Sequence, residues 1–578
     1  MSLANGAPPK GSIAVTRNTV DDLLRSLRAI ARTRRFLHWQ PAFPGIWRTW
    51  QGNDLDGGFD AVIGNPPYVR QEQLSPFKPV LKARYAAYDG VADLYVYFFE
   101  QALRLLRPGG RFSFTVTNKW LKAGYAEELR GVLSERAWLI ALTDFGHARG
   151  FFPGTDVFPS IVCARRPLPV EEPPEDITVT VVPRDLVRME ELESQVAAGQ
   201  FAIARSELTR EPWVLEPADV RQLMAKVVGS GSRLRDYVGQ DAPFRGVLTG
   251  FNEAFVVDTA TRDALIGSDP ASSEIIRPFL RGQDIDRWTS EWDEQWLIFT
   301  RRGIDIERYP AIRDHLAKFR TKLEPEPANW SGPEWKGRKA GSYQWFEIQD
   351  NTAYYELFDR PKIIYQEIQY YPAYSLDTEG LYLNNKGFMI PSEDPWLLAV
   401  LNSPLMWWFG WRHFARMKDE ALTPQGYRVE LVPIAPVDPI QAHAVAASVA
   451  FPHTTQQDRH TARRALREWF SVTWDLPSPP ASLLDPFKMS ADDFAKAVRA
   501  ALPARRRALS ATEVGAIKGE YLATVAPIKR RLEEASRHEM ALSEVVNRAY
   551  GLTPEDEALM WETAPPRMPI LRPQMAMA

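Results

Sequence analysis

The chain has 578 residues, 45% hydrophobic and 25% charged, a net charge of −3 and one cysteine, Cys163. The length argues for two to four domains and the composition is ordinary for globular protein. These totals exclude a helical membrane span, an intramolecular disulfide, a multi-cysteine zinc site and a whole-molecule basic field, so no metal is expected and any nucleic-acid site must be a local patch.

The start, MSLANGAPPKGS, lacks the apolar core of a signal peptide, and a cytoplasmic location is the expectation. Thr19 and Asp22 resemble a capping box, after which Leu23, Leu24, Leu27 and Ala31 recur at helical spacing. Arg25, Arg28, Arg32, Arg34 and Arg35 decorate that helix, either as a solvated face or as a phosphate-contacting one. Residues 59–64 then read as a short apolar strand of the doubly buried kind. A helix follows over 94–106, stopped by Arg107-Pro108-Gly109-Gly110. A strand over 111–117, a helix over 125–133 and strands over 139–145 and 157–163 complete an α/β unit with a largely parallel sheet.

Residues 165–176, RRPLPVEEPPED, form an acidic, proline-rich stretch that reads as a linker. Beyond it the helix–strand alternation disappears, and 177–435 carries short aromatic strands, turns and scattered helices. SPPAS at 478–482 marks a further break. Residues 485–560 read as helical, with basic clusters such as Arg505-Arg506-Arg507. The expected domains are 1–58, 59–170, 171–438 and a helical 439–578.

The chemistry concentrates where the first strand ends, in FDAVIGNPPYVRQEQL. An open α/β sheet delivers ligand-binding residues at the carboxyl ends of its strands. Pro66 and Pro67 lack an N–H and fix φ, so the backbone leaves the sheet rigidly. The Asn65 side-chain oxygen and the Pro66 carbonyl can then converge, with the Tyr68 ring as a wall. Two acceptors and a π-face suit a planar amine such as adenine N6. Accepting both amine protons favours a pyramidal nitrogen and localises its lone pair, and the stabilisation grows as positive charge builds in the transition state.

Asn65-Pro66-Pro67-Tyr68 resembles motif IV of the amino-methylating DNA methyltransferases, and its asparagine points to adenine N6. The motif also occurs in enzymes that methylate a protein glutamine. With ADLYVYFFEQALRLLRPGGRFSFTVTNKWL at 92–121, the stretch is similar to the Taq-type and type IIG restriction–modification methyltransferases and to the adenine methylases of bacteriophage-exclusion systems. The resemblance implies a partial Rossmann-like class I methyltransferase sheet, an α+β target-recognition domain and a helical C-terminal region. It implies S-adenosylmethionine as the donor and double-stranded DNA as the partner. It places Phe152 opposite Tyr68 across a flipped adenine, with Phe151 and Phe158 as alternatives, each stacking contact being worth about 1–3 kcal/mol. It also makes Asp93, Tyr95 and Phe98 candidate donor contacts.

The Gly-rich turn that cradles the donor in that family is not visible before Asn65. Asp269-Pro270-Ala271 matches its first three residues only, and reads as a helix start. Three readings stay open: a partner chain supplies the donor-binding half, the chain derives from a longer gene, or the domain is degenerate. The β-strand at 59–64 would otherwise keep an unpaired apolar edge, which soluble proteins avoid. No nuclease cluster is readable.

FRGVLTGFNEAFVVD (244–258), IIRPFLRGQDIDRW (275–288), FDRPKIIYQEI (358–368) and LYLNNKGFMI (381–390) resemble the recognition domain of the same family. Arg245, Thr249, Asn252, Arg281 and Lys386 are candidates for phosphate or base edges. Lys336 and Arg338, with Lys339, form a basic loop beside Tyr343 and Trp345 suited to backbone contact. The expectation is an adenine-specific DNA methyltransferase; the alternative is a non-catalytic, sequence-specific DNA-binding subunit.

Overall fold

The computed structural model describes residues 22, 25, 37, 39–49, 56–146, 148, 158–183, 186, 188–239, 241–332, 334–417, 420–503 and 508–572. They fall into two compact units, Met1–Leu215 and Glu216–Ala578.

The first unit is a six-stranded sheet flanked by helices. Its strands are β1 (Phe59–Gly64), β2 (Leu106–Thr117), β3 (Trp138–Asp144), β4 (Pro159–Arg165), β5 (Asp176–Val181) and β6 (Gln200–Ala204). Their order is β1-β2-β4-β3-β5-β6. β1 runs parallel to β2, and β3 parallel to β5, while β4 and β6 pair antiparallel to their neighbours. Four strands therefore share one direction, and the carboxyl ends of β1, β2 and β3 lie at the same edge of the sheet.

Periodicity explains the packing. Helix α1 (Tyr95–Leu105) buries Tyr95, Val96, Phe99, Ala102 and Leu103. The Phe99 ring meets Phe112 and Phe114 of β2 edge-on, at 5.9 and 5.6 Å, and Trp120 at 5.7 Å. Helix α2 (Glu127–Arg136) holds the buried Arg130, whose guanidinium donates to the carbonyls of Trp120, Ala123 and Arg210. Those bonds, with the Trp213 ring 5.2 Å from Trp120, tie residues up to 213 into this core.

Two sequence expectations change here. The turn expected at 107–110 lies inside β2, where Gly109 takes a left-handed φ of 77° and donates to the Arg166 carbonyl, while the Arg166 amide donates to the Gly110 carbonyl. The sheet's own pairing absorbs the glycines, so the strand begins directly where the helix stops. The linker expected at 165–176 is a connection within the sheet. β5 alternates buried and exposed residues and pairs along β3, and helix α3 (Met189–Ala198) leads to β6. The boundary expected at 170 thus falls inside the first unit.

The second unit carries two four-stranded sheets. One is built from Phe244–Arg245, Gly387–Ile390, Lys362–Gln366 and Tyr374–Asp377, the other from Val256–Val257, Gln295–Ile298, Ile276–Leu280 and Tyr382–Leu383. Two buried helices, Pro395–Leu401 and Pro404–His413, share a core with the first sheet. Helix α4 (Pro439–Trp474) begins with Asp438 capping the Ile440 amide and Pro439 in its first turn, and packs along helix α5 (Ala526–Ala549). Trp288, buried at a left-handed φ of 74°, joins sheet to helices: its indole donates to Glu539 and its carbonyl accepts from His453. The recognition region and the helical region therefore form one compact unit rather than two.

Candidate functional site

Asn65 is the first residue after β1 and is exposed; Pro66 is buried, Pro67 exposed, and Tyr68 42% exposed. The two prolines carry the chain off the sheet, as their fixed φ requires. The exit is fastened to α1. The Asp93 carboxylate accepts from the Gln71 amide at 3.0 Å, and the Leu94 amide donates to the Val69 carbonyl at 3.0 Å. The Tyr68 ring stands edge-on to Tyr95 at 6.1 Å, and the Tyr95 and Tyr125 hydroxyls are hydrogen-bonded at 2.9 Å. Partial burial pushes the Tyr68 hydroxyl above the usual tyrosine range, opposed by a hydrogen bond with the Thr117 backbone. The wall beside Asn65 is thus held by the end of β2.

That strand end is itself clamped. The Asn118 side-chain amide donates to Asp144 Oδ1 at 2.9 Å, and the same oxygen accepts from the Gly146 amide at 2.9 Å. The Asn118 backbone amide donates to the Phe158 carbonyl at 2.6 Å. A buried carboxylate at the end of β3 therefore locks the turn that supports Tyr68. Sequence reading passed over Asn118 and Asp144. The available signal was a polar residue at the end of each of two strands sharing the direction of β1.

The structure brings Asn65, Pro66, Pro67 and Tyr68 together at one edge. Phe151 and Phe152 lie outside the described residues. Asp93 and Tyr95 are occupied in holding the motif's exit and Tyr125; Phe98 is 38% exposed on α1.

The recognition candidates divide. Arg338 is 3% exposed and donates to the carbonyls of Leu323, Thr249, Glu347, Gln344 and Trp345. Burial lowers its guanidinium to about 10, against attraction from Tyr343, Glu324 and Glu347. Thr249 is buried and donates to the Asn252 side chain at 2.6 Å. Arg338 and Thr249 are therefore structural, a correction: the glycine-flanked basic loop wraps its arginine inward to satisfy carbonyls that no regular element pairs. Arg281 is held by Asp284 at 2.7 Å and Asp293 at 3.3 Å, and Lys386 by Glu367 at 2.7 Å. Arg245 donates to the Asn385 carbonyl and lies 3.7 Å from Glu367. Lys336 and Asn252 are both exposed at the surface.

Comparison with known proteins separates a methylase part from a recognition part. Residues 10–152 match the Eco57I restriction-modification methylase family, and residues 277–434 the TaqI-like C-terminal specificity domain. The Type II methyltransferase M.XhoI of Xanthomonas vasicola is 27% identical over 429 residues, covering 70% of this chain and 74% of that protein. The Type II methyltransferase M.PaeR7I of Pseudomonas aeruginosa is 26% identical over 362 residues, covering 61% and 59%. Among solved structures, the type IIL restriction-modification enzyme MmeI in complex with DNA overlaps 87% of this chain and 56% of its own, at a TM-score of 0.46 and 14% identity. The chain is thus similar to the restriction–modification methylases, with an Eco57I-type methylase match followed by a match to the TaqI-like C-terminal specificity domain.

Proposed function

We propose that the chain methylates DNA at adenine N6, on a base flipped out of the duplex, as part of a cytoplasmic restriction–modification or phage-defence system. The observation that carries this reading is Asn65-Pro66-Pro67-Tyr68 at the carboxyl end of β1, beside the clamped ends of β2 and β3. Asn65 Oδ1 and the Pro66 carbonyl accept the two amine protons, which draws the nitrogen toward pyramidal shape and directs its lone pair outward. Tyr68 stacks on one face of the base and Phe152 on the other, offsetting the few kcal/mol spent on extrusion. Asn252, Lys336, Arg245, Arg281 and Lys386 remain the proposed duplex contacts.

S-adenosylmethionine is the donor the family implies, and when bound it supplies an electrophilic methyl group. Among the described residues no cradle for it is formed: Asp93 and Tyr95 are bound internally, leaving Phe98 as a bordering ring. The residues of this chain act on the acceptor. A partner chain that supplies the donor side fits the outer edge of β1, where Ile63 is 84% exposed and, among the described residues, β1 pairs on one side only. The internal commitment of Asp93 and Tyr95 equally favours a second reading, a DNA-binding subunit that does not methylate. Donor binding and methyl transfer by the purified chain, with and without the products of neighbouring genes, separate the two. Transfer that depends on Asn65 supports the first; duplex binding without transfer under either condition supports the second.

A further inference from the structure

Most of the basic side chains picked out by sequence in the recognition region are already engaged within the protein. A cluster of guanidiniums without a carboxylate partner lies elsewhere, on α4. Arg463, Arg464 and Arg467 line a cleft of roughly 560 Å³ against the loop carrying Arg281 to Glu294. None of the three has a carboxylate partner among the described residues, whereas Arg459 on the same helix makes three hydrogen bonds to Asp485. Arg464 and Arg467 are exposed and Arg463 half-buried.

We propose that this arginine ridge grips the phosphodiester backbone of duplex DNA. The inference rests on the DNA reading above and adds a contact outside the TaqI-like domain. Arg463 and Arg467 stand one helical turn apart, about 6 Å along the axis, so the ridge follows a charged strand rather than a single anion. The opposite wall is acidic, and part of its charge is paired within the wall. Arg281 holds Asp284 and Asp293, and Asp286 accepts from Tyr371 at 3.0 Å and faces His460 at 3.9 Å. Glu291 and Glu294 complete five carboxylates on that side of the cleft, against Arg281 and the three ridge guanidiniums. Carboxylates accept from the exocyclic amino groups of bases, so that wall suits base edges while the ridge takes phosphates. All three arginines project from a helix whose buried face is Ala462, Leu466 and Phe470, so replacing them leaves the core intact.

The test uses the full chain and a duplex series over a range of salt. Neutralising phosphates releases counterions, and log affinity falls against log salt with a slope of about −0.9 per contact. Arg463→Gln/Arg464→Gln/Arg467→Gln is expected to reduce the magnitude of that slope by roughly 2 to 3 and to weaken all duplexes alike, at an unchanged melting temperature. If the triple variant folds poorly, Arg467→Gln alone is expected to remove about 0.9 from the slope. An unchanged slope overturns the ridge, even where methyl transfer, read in parallel, proceeds normally. A reduced slope without any methyl transfer, whether or not the neighbouring gene products are present, upholds the ridge and removes the enzymatic reading. No duplex binding by the wild-type chain overturns both.

Discussion

Asn65 and Pro66 are asked to recognise charge that develops on one nitrogen. Removing one such acceptor costs about 10²–10³-fold in kcat when its bond strengthens only in the transition state. Asn65→Ala is therefore expected to lose methylation on that scale, with duplex affinity within about twofold; equal loss of both in a binding titration would make it a binding residue only. Tyr68 is asked for a π-face, so Tyr68→Phe should retain activity and Tyr68→Ala should lose about 1–3 kcal/mol of hold on the flipped base, read by 2-aminopurine fluorescence. The clamp makes a sharper demand. Asn118→Asp sets two carboxylates at hydrogen-bonding distance, which disfavours charging both. Adding Asp144→Asn restores a donor and an acceptor between the two side chains, at the cost of the bond from the Gly146 amide, since the atom that faced both must now donate. Recovery of stability and of base-flipping fluorescence in the double variant is expected; a double variant no better than Asn118→Asp would dissolve the clamp's role.

At the scale of elements, the strand-to-proline exit was legible because its signals are local: an apolar run, then residues that cannot continue a ladder. The helix at 94–106 was legible through its apolar spacing, and α1 occupies Tyr95–Leu105. What was hidden depended on partners far away in sequence. β5 looked like the far side of a linker because its place is set by pairing with β3, not by its flanks. Arg338 looked like a surface cation because the carbonyls that bury it come from separate stretches, around Thr249, Leu323 and 344–347. Arg338→Ala should accordingly destabilise the second unit by on the order of 3 kcal/mol, seen in urea unfolding. A change confined to DNA affinity would return it to the interface. The exposed Ile63 makes β1 an open edge, and Ile63→Lys should abolish co-purification of a strand-donating partner. Unimpaired co-purification would place that partner elsewhere.

For the whole molecule, an overall charge of −3 had excluded a general basic field, and the α4 ridge is one place where positive charge gathers locally. The methylase-family match and the specificity-domain match fall largely in separate compact units, each built on cores of its own. That division follows from what each must do: the amine site needs rigid strand ends, while reading a duplex needs loops presented from a scaffold. The central claim is the chemistry of one nitrogen, and the position of the transferred methyl group tests it most directly. The full chain, produced together with its neighbouring gene products, is incubated with duplex DNA and methyl-labelled S-adenosylmethionine, and the DNA is digested to nucleosides. Label is expected in N6-methyldeoxyadenosine and absent with Asn65→Ala. Label in N4-methyldeoxycytidine or on protein, or undiminished label with Asn65→Ala, would contradict the account.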